Sequence, residues 1–198
     1  IVQPAFTQTV NFTSSDLPVI VINTNGQAIL DDPKITADMG IIDNGPGKRN
    51  NLTDTFTQYN GKIGIEIRGQ SSQMFPMKSY SLELRDAAGK SVDKSLFGMP
   101  KESDWVLYAP YTDKTLMRNV LAYGLSASLG HWAARTVMVE VMLNGNYVGV
   151  YVFMERIKRN VGRVNITKMS KTDISGDAVT GGYIFSLDKE PNGWFSSY

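Results

Sequence analysis

The chain has 198 residues, of which 42% are apolar and 20% are charged, and its formal net charge is +1. It has no cysteine and a single histidine, His131, which excludes disulfides, thiol catalysis and any multi-histidine metal site. The near-neutral charge gives no reason to expect a nucleic-acid partner. No segment approaches the ~20 apolar residues of a membrane helix, so we expect no membrane span.

The first part of the chain predicts few regular elements. Residues 1–16 are mostly polar and are expected to form a loosely packed extension. The apolar run Leu17–Ile22 predicts a buried strand, followed by a turn at Asn25-Gly26. Residues 31–60 are rich in Asp, Asn, Gly, Pro and Thr and predict a long solvated loop, in which only Met39–Ile42 resembles a strand.

The segment from Ile63 to Leu84 predicts two strands joined by a tight loop. Apolar and other residues alternate along both strands. Lys78 shares a strand face with Tyr80, Leu82 and Leu84, because side chains two residues apart point the same way. A lysine that ends an apolar row needs an anionic partner, either a carboxylate of the chain or a phosphate of a ligand. The alternative is that Lys78 extends into solvent at the end of the strand.

A third strand and a helix follow. The strand is predicted at Asp104–Tyr108, and the helix is expected to begin at a cap on Thr112 or Asp113 and to end at Gly130. Its apolar positions fall at three- and four-residue spacing on one stripe, formed by Leu116, Met117, Val120, Leu121 and Gly124. Arg118 and Asn119 lie near the helix start, where they either have a side-chain function or face water.

The last predicted elements are a hairpin and one further strand. Val137–Leu143 and Tyr147–Met154 flank Asn144-Gly145, a strong hairpin signal. The second of these strands is almost wholly apolar, so we expect a central strand that ends at a charged cluster, Glu155–Arg159. Residues 181–189 predict another strand, which would deliver Asp188 and Lys189 at its end.

This order of elements predicts an α+β fold, and it fits either a generic α+β domain or the small lobe of a protein kinase, which it resembles. We expect a kinase-like small lobe built on an antiparallel sheet with one main helix, followed by the start of a second lobe, with the C-terminal part of the full fold absent. The corresponding domains are 1–16 as an extension, 17–157 as the nucleotide-binding lobe and 158–198 as the truncated second lobe. Lys78 would contact nucleotide phosphates, Arg68–Ser72 would cover them, and Glu155–Ile157 would be the hinge beside adenine. The three spaced glycines of the usual phosphate-covering loop are absent.

Four motifs resemble the CotH family, the spore coat protein H kinases. They are RGQSSQMFPMKSYSLEL (68–84), DWVLYAPYTDKTLMRNVL (104–121), NGNYVGVYVFMERIKR (144–159) and TGGYIFSLDK (180–189). The resemblance identifies the chain as the N-terminal portion of an atypical serine/threonine kinase that uses ATP and a divalent metal such as Mg²⁺. It also implies a protein substrate, such as a Ser/Thr-rich coat or surface protein, and a location in the spore coat or outside the cytoplasm.

The resemblance transfers to individual positions of this chain. Lys78 matches the nucleotide-phosphate lysine, and Glu155 the acidic residue after the GVY strand. The remaining expected nucleotide contacts are Arg68, Ser71, Ser72, Arg118, Asn119 and Ile157. We expect Arg118 to pair with Glu155 or with a phosphate, since a guanidinium suits forked contacts to either.

Catalytic and metal-binding residues are not assigned within this chain. The family's aspartate motifs have no match after Leu187, and Asp188 is a single carboxylate, whereas two-metal phosphoryl transfer needs several ligands. We therefore expect this polypeptide alone to have negligible phosphotransfer activity. The alternative function is a non-catalytic surface or spore-coat module, structural or adhesive, with the same fold. A hydrolase is disfavoured, since no G-x-S-x-G motif is present and His131 directly follows the helix-ending Gly130.

Overall fold

The computed structural model describes residues 10–184 and contains mostly strands. The strands are β1 (Ser14–Ser15), β2 (Val19–Asn23), β3 (Ile35–Ile42), β4 (Asn50–Asn51), β5 (Tyr59–Arg68), β6 (Ser79–Arg85), β7 (Asp104–Tyr108), β8 (Thr136–Leu143) and β9 (Asn146–Glu155). The helices are α1 (Arg118–Ser128), the single-turn α2 (Asp177–Thr180) and a short 3-10 helix at Ser71–Met74.

Seven of the strands form a closed barrel in the order β2-β3-β5-β6-β7-β9-β8. All neighbouring pairs are antiparallel except the pair that closes the barrel, in which β2 runs parallel to β8 from Val19 opposite Glu140 to Ile22 opposite Leu143. The remaining strands, β1 and β4, form a separate two-stranded sheet. Closure leaves no unpaired edge in the barrel.

The predicted fold class is therefore wrong. The sequence predicted a kinase-like small lobe built on an antiparallel sheet with one main helix, whereas the chain folds as a mostly-β closed barrel with α1 as its one long helix among the described residues. The reason is that β2 pairs with β3 on one side and with β8 on the other. A pairing between segments about 120 residues apart leaves no local signal in the sequence.

The barrel interior is a continuous apolar core, as the alternating pattern predicted for β5 and β6. Inward side chains alternate with outward ones along each strand. The inward set includes Ile20, Ile22, Met39, Ile41, Ile63, Ile65, Leu82, Leu84, Trp105, Leu107, Val139, Val141, Tyr151 and Phe153, all at most 1% exposed. The aromatic rings pack together, with Phe153 5.1 Å from Trp105 and 5.2 Å from Phe97 between ring centroids.

The expectation of a loop across residues 31–60 is wrong for its first part. Ile35–Ile42 forms the eight-residue strand β3, which pairs with both β2 and β5. Asp38 lies on the solvent side of this strand, where its carboxylate accepts an ion pair from Lys62 at 2.6 Å. A charged residue on the outward face is compatible with a strand whose other face is buried.

Helix α1 buries only part of the predicted stripe, namely Val120. Val120 and Tyr123 pack against the outer side of the barrel, on Val106, Val152 and Met154. Leu121, predicted to face the core, is 60% exposed. Leu125 and Leu129 continue this exposed apolar row at 63% and 68%, because residues four apart lie on one face of a helix.

The chain divides into two compact units, one ending at Arg156 and the other beginning at Ile157. The described part of the second unit contains α2 and an isolated bridge between Arg159 and Val164. Of the strand predicted at 181–189, residues 181–184 are not in a strand, and the remainder lies outside the described residues. No helix in the described part of the chain is long and apolar enough to cross a membrane.

Candidate functional site

A cleft of about 290 Å³ lies between the outer face of the barrel and helix α1, and we refer to it as the α1 cleft. Val106 and Met154 form its apolar floor, and Gly69 lies at one side. The polar residues that line it are Arg68, Ser72, Ser79, Tyr108, Asn119 and Tyr123. No carboxylate is among these lining residues, so the α1 cleft has one charged group, and that group is a cation.

Arg68 supplies this positive charge from the last position of β5. Ile67 points into the core, so the next side chain points to the outer face. Desolvation lowers the pKa of Arg68, and repulsion from Arg156 lowers it further, while Tyr123 and Glu66 act weakly in the opposite direction. Both effects disfavour the charged form of Arg68. An anion placed beside Arg68 would offset both effects, because it stabilises the charged guanidinium.

The charged neighbours of Arg68, Glu66 and Arg156, form ion pairs with other residues. Glu66 pairs with Lys34 at 2.9 Å, and Arg156 lies 3.7 Å from Asp104. Within residues 10–184, no carboxylate or carbonyl oxygen accepts an ion pair or a hydrogen bond from the Arg68 guanidinium. Because a guanidinium offers five N–H donors in a planar fork, Arg68 has its full donor capacity available to a ligand in the α1 cleft.

The segment after Arg68 forms a compact loop, residues 69–75, beside the cleft. Gly69 has φ +101°, and a Cβ at this position would collide with Ser72 Oγ, so only glycine fits here. The side-chain amide of Gln73 donates to Gly69 O at 2.7 Å and to Asp31 Oδ1 at 2.8 Å. The ring of Phe75 stacks on Tyr111 at 5.1 Å between centroids. The loop is thus tied at both ends, with Ser72 toward the α1 cleft and Ser71 exposed.

Lys78 does not line the α1 cleft. Its ammonium donates to the backbone carbonyls of Gln73, at 2.5 Å, and Phe75, at 2.7 Å. It directly precedes β6 and shares the parity of the inward-facing Tyr80, whereas Ser79 lies on the cleft side. The sequence suggested a carboxylate or a phosphate as the partner of Lys78, or else a position in solvent. The structure instead pairs its ammonium with two backbone carbonyls of the loop.

The start of α1 brings Asn119 to the cleft and holds Arg118 away from it. Arg118 is exposed and lies 3.4 Å from Asp113, which also accepts the Arg118 backbone N–H at 2.8 Å. Desolvation alone would raise the pKa of Asp113, but hydrogen bonds from the Arg118 and Thr115 backbone and from the Thr115 hydroxyl outweigh it and leave that pKa below its ordinary value. The ionised Asp113 thus accepts the backbone N–H of the first residue of the helix. The predicted cap at Thr112 or Asp113 is nevertheless wrong, because the helix begins at Arg118 and its N-cap residue is Met117, which makes no side-chain cap.

Glu155 and Ile157, expected at a hinge, have contrasting environments. Glu155 is fully buried at the end of β9, where its carboxylate accepts the Arg135 backbone N–H at 2.9 Å and the Arg135 guanidinium at 2.8 Å. Ile157 is 54% exposed. The expected pair between Arg118 and Glu155 is not formed, since Asp113 and Arg135 are their respective partners.

Three of the eight site residues predicted from the sequence therefore line one cleft, namely Arg68, Ser72 and Asn119. The sequence reasoning missed Ser79, Tyr108 and Tyr123. Ser79 and Tyr108 alternate with core residues of β6 and β7, so strand parity could have placed them on the outer face. Tyr123 lies one helical turn after Asn119, so helical spacing was the available signal.

The described residues contain no group of three or more histidine, aspartate or glutamate side chains arranged to hold a metal ion. Mg²⁺ prefers oxygen ligands, chiefly carboxylates and phosphates. In the described part of the chain, a nucleotide metal would therefore have no ready set of protein ligands. Arg68 and the neutral side chains of the α1 cleft suit phosphate oxygens better than a metal ion.

The fold and the cleft together define a class: a β-barrel domain with one packed helix and a cationic cleft beneath that helix. The family described as CotH kinase protein matches residues 65–194, which is more than half of the chain. The chain belongs to the CotH family, and the family predicted from the four motifs is confirmed. A comparison with curated proteins finds no match.

Proposed function

We propose that this chain is the nucleotide-binding part of a CotH-type protein kinase, with the phosphates of ATP lying against Arg68 in the α1 cleft. The observation that carries the proposal is the position of the Arg68 guanidinium, which is the one charged side chain that lines the α1 cleft. It has no anionic partner among the described residues. A phosphate chain supplies the missing negative charge and accepts the forked hydrogen bonds of a guanidinium.

The neutral groups around Arg68 fit the same ligand. Asn119 and Ser72 offer an amide and a hydroxyl as further donors. Ser79 Oγ accepts the Ala109 backbone N–H at 2.9 Å, which leaves its own hydroxyl proton to donate into the cleft. The family description, CotH kinase protein, supports ATP as the phosphate-bearing ligand.

The other predicted contacts stay in the proposal with secondary roles. Ser71 is part of the 69–75 loop, and Lys78 holds this loop through its carbonyls. Arg118 precedes Asn119 at the start of α1. Glu155 and Ile157 stay proposed as the strand end beside which adenine would lie. Their contact with nucleotide is a prediction that rests on the family resemblance.

A divalent metal, Mg²⁺, completes the proposal. In phosphoryl transfer such a metal neutralises charge that develops on the phosphate oxygens. We propose that its ligands and the catalytic residues come from family motifs beyond those matched here. Arg68 then holds and orients phosphate, and the protein substrate is a Ser/Thr-rich coat or surface protein. The spore coat, or another location outside the cytoplasm, is proposed from the family name alone.

The second candidate is a non-catalytic structural or adhesive module. It is favoured by the exposed apolar row of α1, in which Leu121, Leu125 and Leu129 are 60–68% exposed. Contiguous exposed apolar side chains mark contact surfaces more often than isolated ones do. Under this candidate the α1 cleft would have no nucleotide affinity.

Calorimetric titration separates the two candidates. The ligands are ATP, inorganic tripolyphosphate and adenosine, each titrated into the wild type, Arg68→Gln and Lys48→Gln. Lys48 is an exposed lysine in a surface turn, so its variant removes the same charge away from the cleft. We expect ATP and tripolyphosphate to bind the wild type and Lys48→Gln alike, and adenosine to bind far more weakly.

Arg68→Gln should weaken tripolyphosphate binding about 10- to 100-fold, because a hydrogen bond to a charged group contributes ~1.5–3 kcal/mol. The nucleotide proposal fails if tripolyphosphate and ATP do not bind the wild type, or if they bind Arg68→Gln with unchanged affinity. Absence of binding by either ligand would favour the structural module.

A further inference from the structure

We propose that Lys78 is a positioning residue: its ammonium holds the 69–75 loop in place and acts on the α1 cleft only through that loop. The inference deepens the proposed function and rests on it for its ligand. It departs from the role expected from the sequence, in which Lys78 contacts phosphate directly. Two observations support the inference: the Lys78 ammonium donates to two loop carbonyls, and Lys78 does not line the α1 cleft.

The ammonium is already coordinated by the chain itself. Its two hydrogen bonds, 2.5 Å to Gln73 O and 2.7 Å to Phe75 O, use two of its three protons. Both acceptors lie at the C-terminal end of the 3-10 helix Ser71–Met74. Carbonyls at a helix end lack helical partners, and a cation there is favourable. Lys78 therefore supplies the cap that this short helix needs.

Apart from Lys78, the loop is held by the Gln73 side chain, which donates to Gly69 O and Asp31 Oδ1, and by one ring contact. The 3-10 helix has four residues, none of them buried, and its N-cap residue Gln70 makes no side-chain cap. A helix of this length is not stable without tertiary contacts. The stacking of Phe75 on Tyr111 anchors only the end of the loop. Removing the Lys78 ammonium would leave two carbonyls without their partner and would loosen the loop.

A chain of contacts leads from Lys78 to the cleft. Lys78 fixes the backbone of Gln73, and the Gln73 side chain donates to Gly69 O. Gly69 packs against Ser72 Oγ so closely that no Cβ fits between them. Gly69 and Ser72 both line the α1 cleft. The ammonium thus sets the position of the cleft wall although it is not part of that wall.

Lys78 and Arg68 have different surroundings. Arg68 lies opposite Ser79 in the ladder of β5 and β6, and both line the cleft. Lys78 has the parity of Tyr80, which is in the core of the barrel. The two cations therefore have separable roles in this proposal: Arg68 binds the ligand, and Lys78 donates hydrogen bonds to the loop backbone.

The test compares Lys78→Met, Lys78→Arg and Arg68→Gln, with Lys48→Met as the control for loss of an exposed lysine. Amide hydrogen exchange of residues 70–77 is measured without ligand, and tripolyphosphate affinity is measured at several salt concentrations. We expect Lys78→Met to speed exchange at Gln73 and Phe75 about tenfold, because their loop opens more often. Lys78→Arg should retain part of the protection, since its guanidinium can also donate to carbonyls.

The affinity measurements separate an indirect role from a direct one. Lys78→Met should weaken tripolyphosphate binding about three- to tenfold and leave the salt dependence of affinity unchanged, because no ionic contact is lost. Arg68→Gln should reduce the salt dependence and leave loop exchange unchanged. Unchanged exchange in Lys78→Met, or a salt dependence reduced as in Arg68→Gln, would overturn the proposal.

Two further outcomes are also decisive. If Lys78→Met does not fold, Gln73→Ala removes the next contact in the chain and should give the same faster exchange around Gly69 and Ser72; normal exchange there would contradict the proposal. If the wild type does not bind tripolyphosphate, the proposed function fails, while the exchange measurement without ligand still decides whether Lys78 holds the loop.

Discussion

The inside of the barrel and the α1 cleft lie on opposite faces of the same strands, β5, β6, β7 and β9. The inside is closed and apolar, and its few polar groups are satisfied. The indole N–H of Trp105, for example, donates to Glu102 O at 3.0 Å. The cleft side retains the Arg68 guanidinium, which has no anionic partner among the described residues.

The difference indicates how the two faces divide their roles. Burial of apolar side chains inside the barrel supplies most of the free energy of folding. The outer face can then keep Arg68 in the α1 cleft, where we propose that it binds an anion. Four predictions test this division, in order of decreasing expected effect on stability.

The largest effect is expected inside the barrel. Phe153→Ala should lower the free energy of unfolding by about 3–5 kcal/mol, because it leaves a cavity beside Trp105 and Phe97. Its neighbour Met154 is buried in the outer cluster and also lines the α1 cleft, so Met154→Ala should cost less, about 2 kcal/mol, at the low end for a buried methionine. Urea denaturation measures both variants. A larger loss for Met154→Ala than for Phe153→Ala would contradict the division.

The second effect concerns the two faces of α1. Tyr123→Ala should lower the free energy of unfolding by about 1–3 kcal/mol, because Tyr123 packs on the outer side of the barrel. Leu125→Ala should change it by less than about 0.5 kcal/mol, because this side chain is 63% exposed. The same urea series measures both. Equal losses would mean that the exposed face of α1 is covered in solution.

The third prediction concerns the effect of the Arg68 side chain on stability, which we expect to be small. Arg68→Gln, without any ligand, should leave the free energy of unfolding within about 0.5 kcal/mol of the wild type or raise it slightly. The variant removes a partly desolvated cation and its repulsion from Arg156. Thermal denaturation in ligand-free buffer measures the change. A loss above about 1 kcal/mol would show that Arg68 is a structural residue.

The smallest effect is the contribution of Asp113 to the dependence of stability on pH. The pKa of Asp113 is held below its ordinary value of 3.8 in the folded chain. Its stabilising contribution is therefore fully present above about pH 4 and is lost as pH falls through the lower folded pKa. We expect the thermal midpoints of wild type and Asp113→Asn to differ most above pH 4 and to converge below it. A gap that stays constant across this range would refute the assignment.

Local patterns allowed several elements to be predicted from the sequence. The strand at Asp104–Tyr108 has the predicted bounds, and Asn144-Gly145 joins β8 to β9 as expected. Both follow from short-range chemistry: a compact apolar run, and a turn in which Asn144 and Gly145 both have positive φ. Such signals need no knowledge of the rest of the chain.

Closure of the barrel and the arrangement of the site could not be predicted in this way. The parallel pairing of β2 with β8 depends on contacts distant in sequence. Arg68 and Lys78 both stood out as cations at strand ends, but their separation by strand face requires the register in which Arg68 pairs with Ser79. The sequence drew attention to one segment with two cations, and only the structure shows that Arg68 lines the α1 cleft while Lys78 does not.

The most direct test of the central claim is an NMR titration that follows the Nε–Hε signals of the arginine side chains as ATP is added. The account predicts that the Arg68 signal shifts in a saturable way, while the signal of Arg49, an exposed side chain that pairs with Asp16, stays in place. An Arg68 signal that does not shift when ATP saturates the protein would contradict the account. So would the absence of ATP binding at every concentration tested.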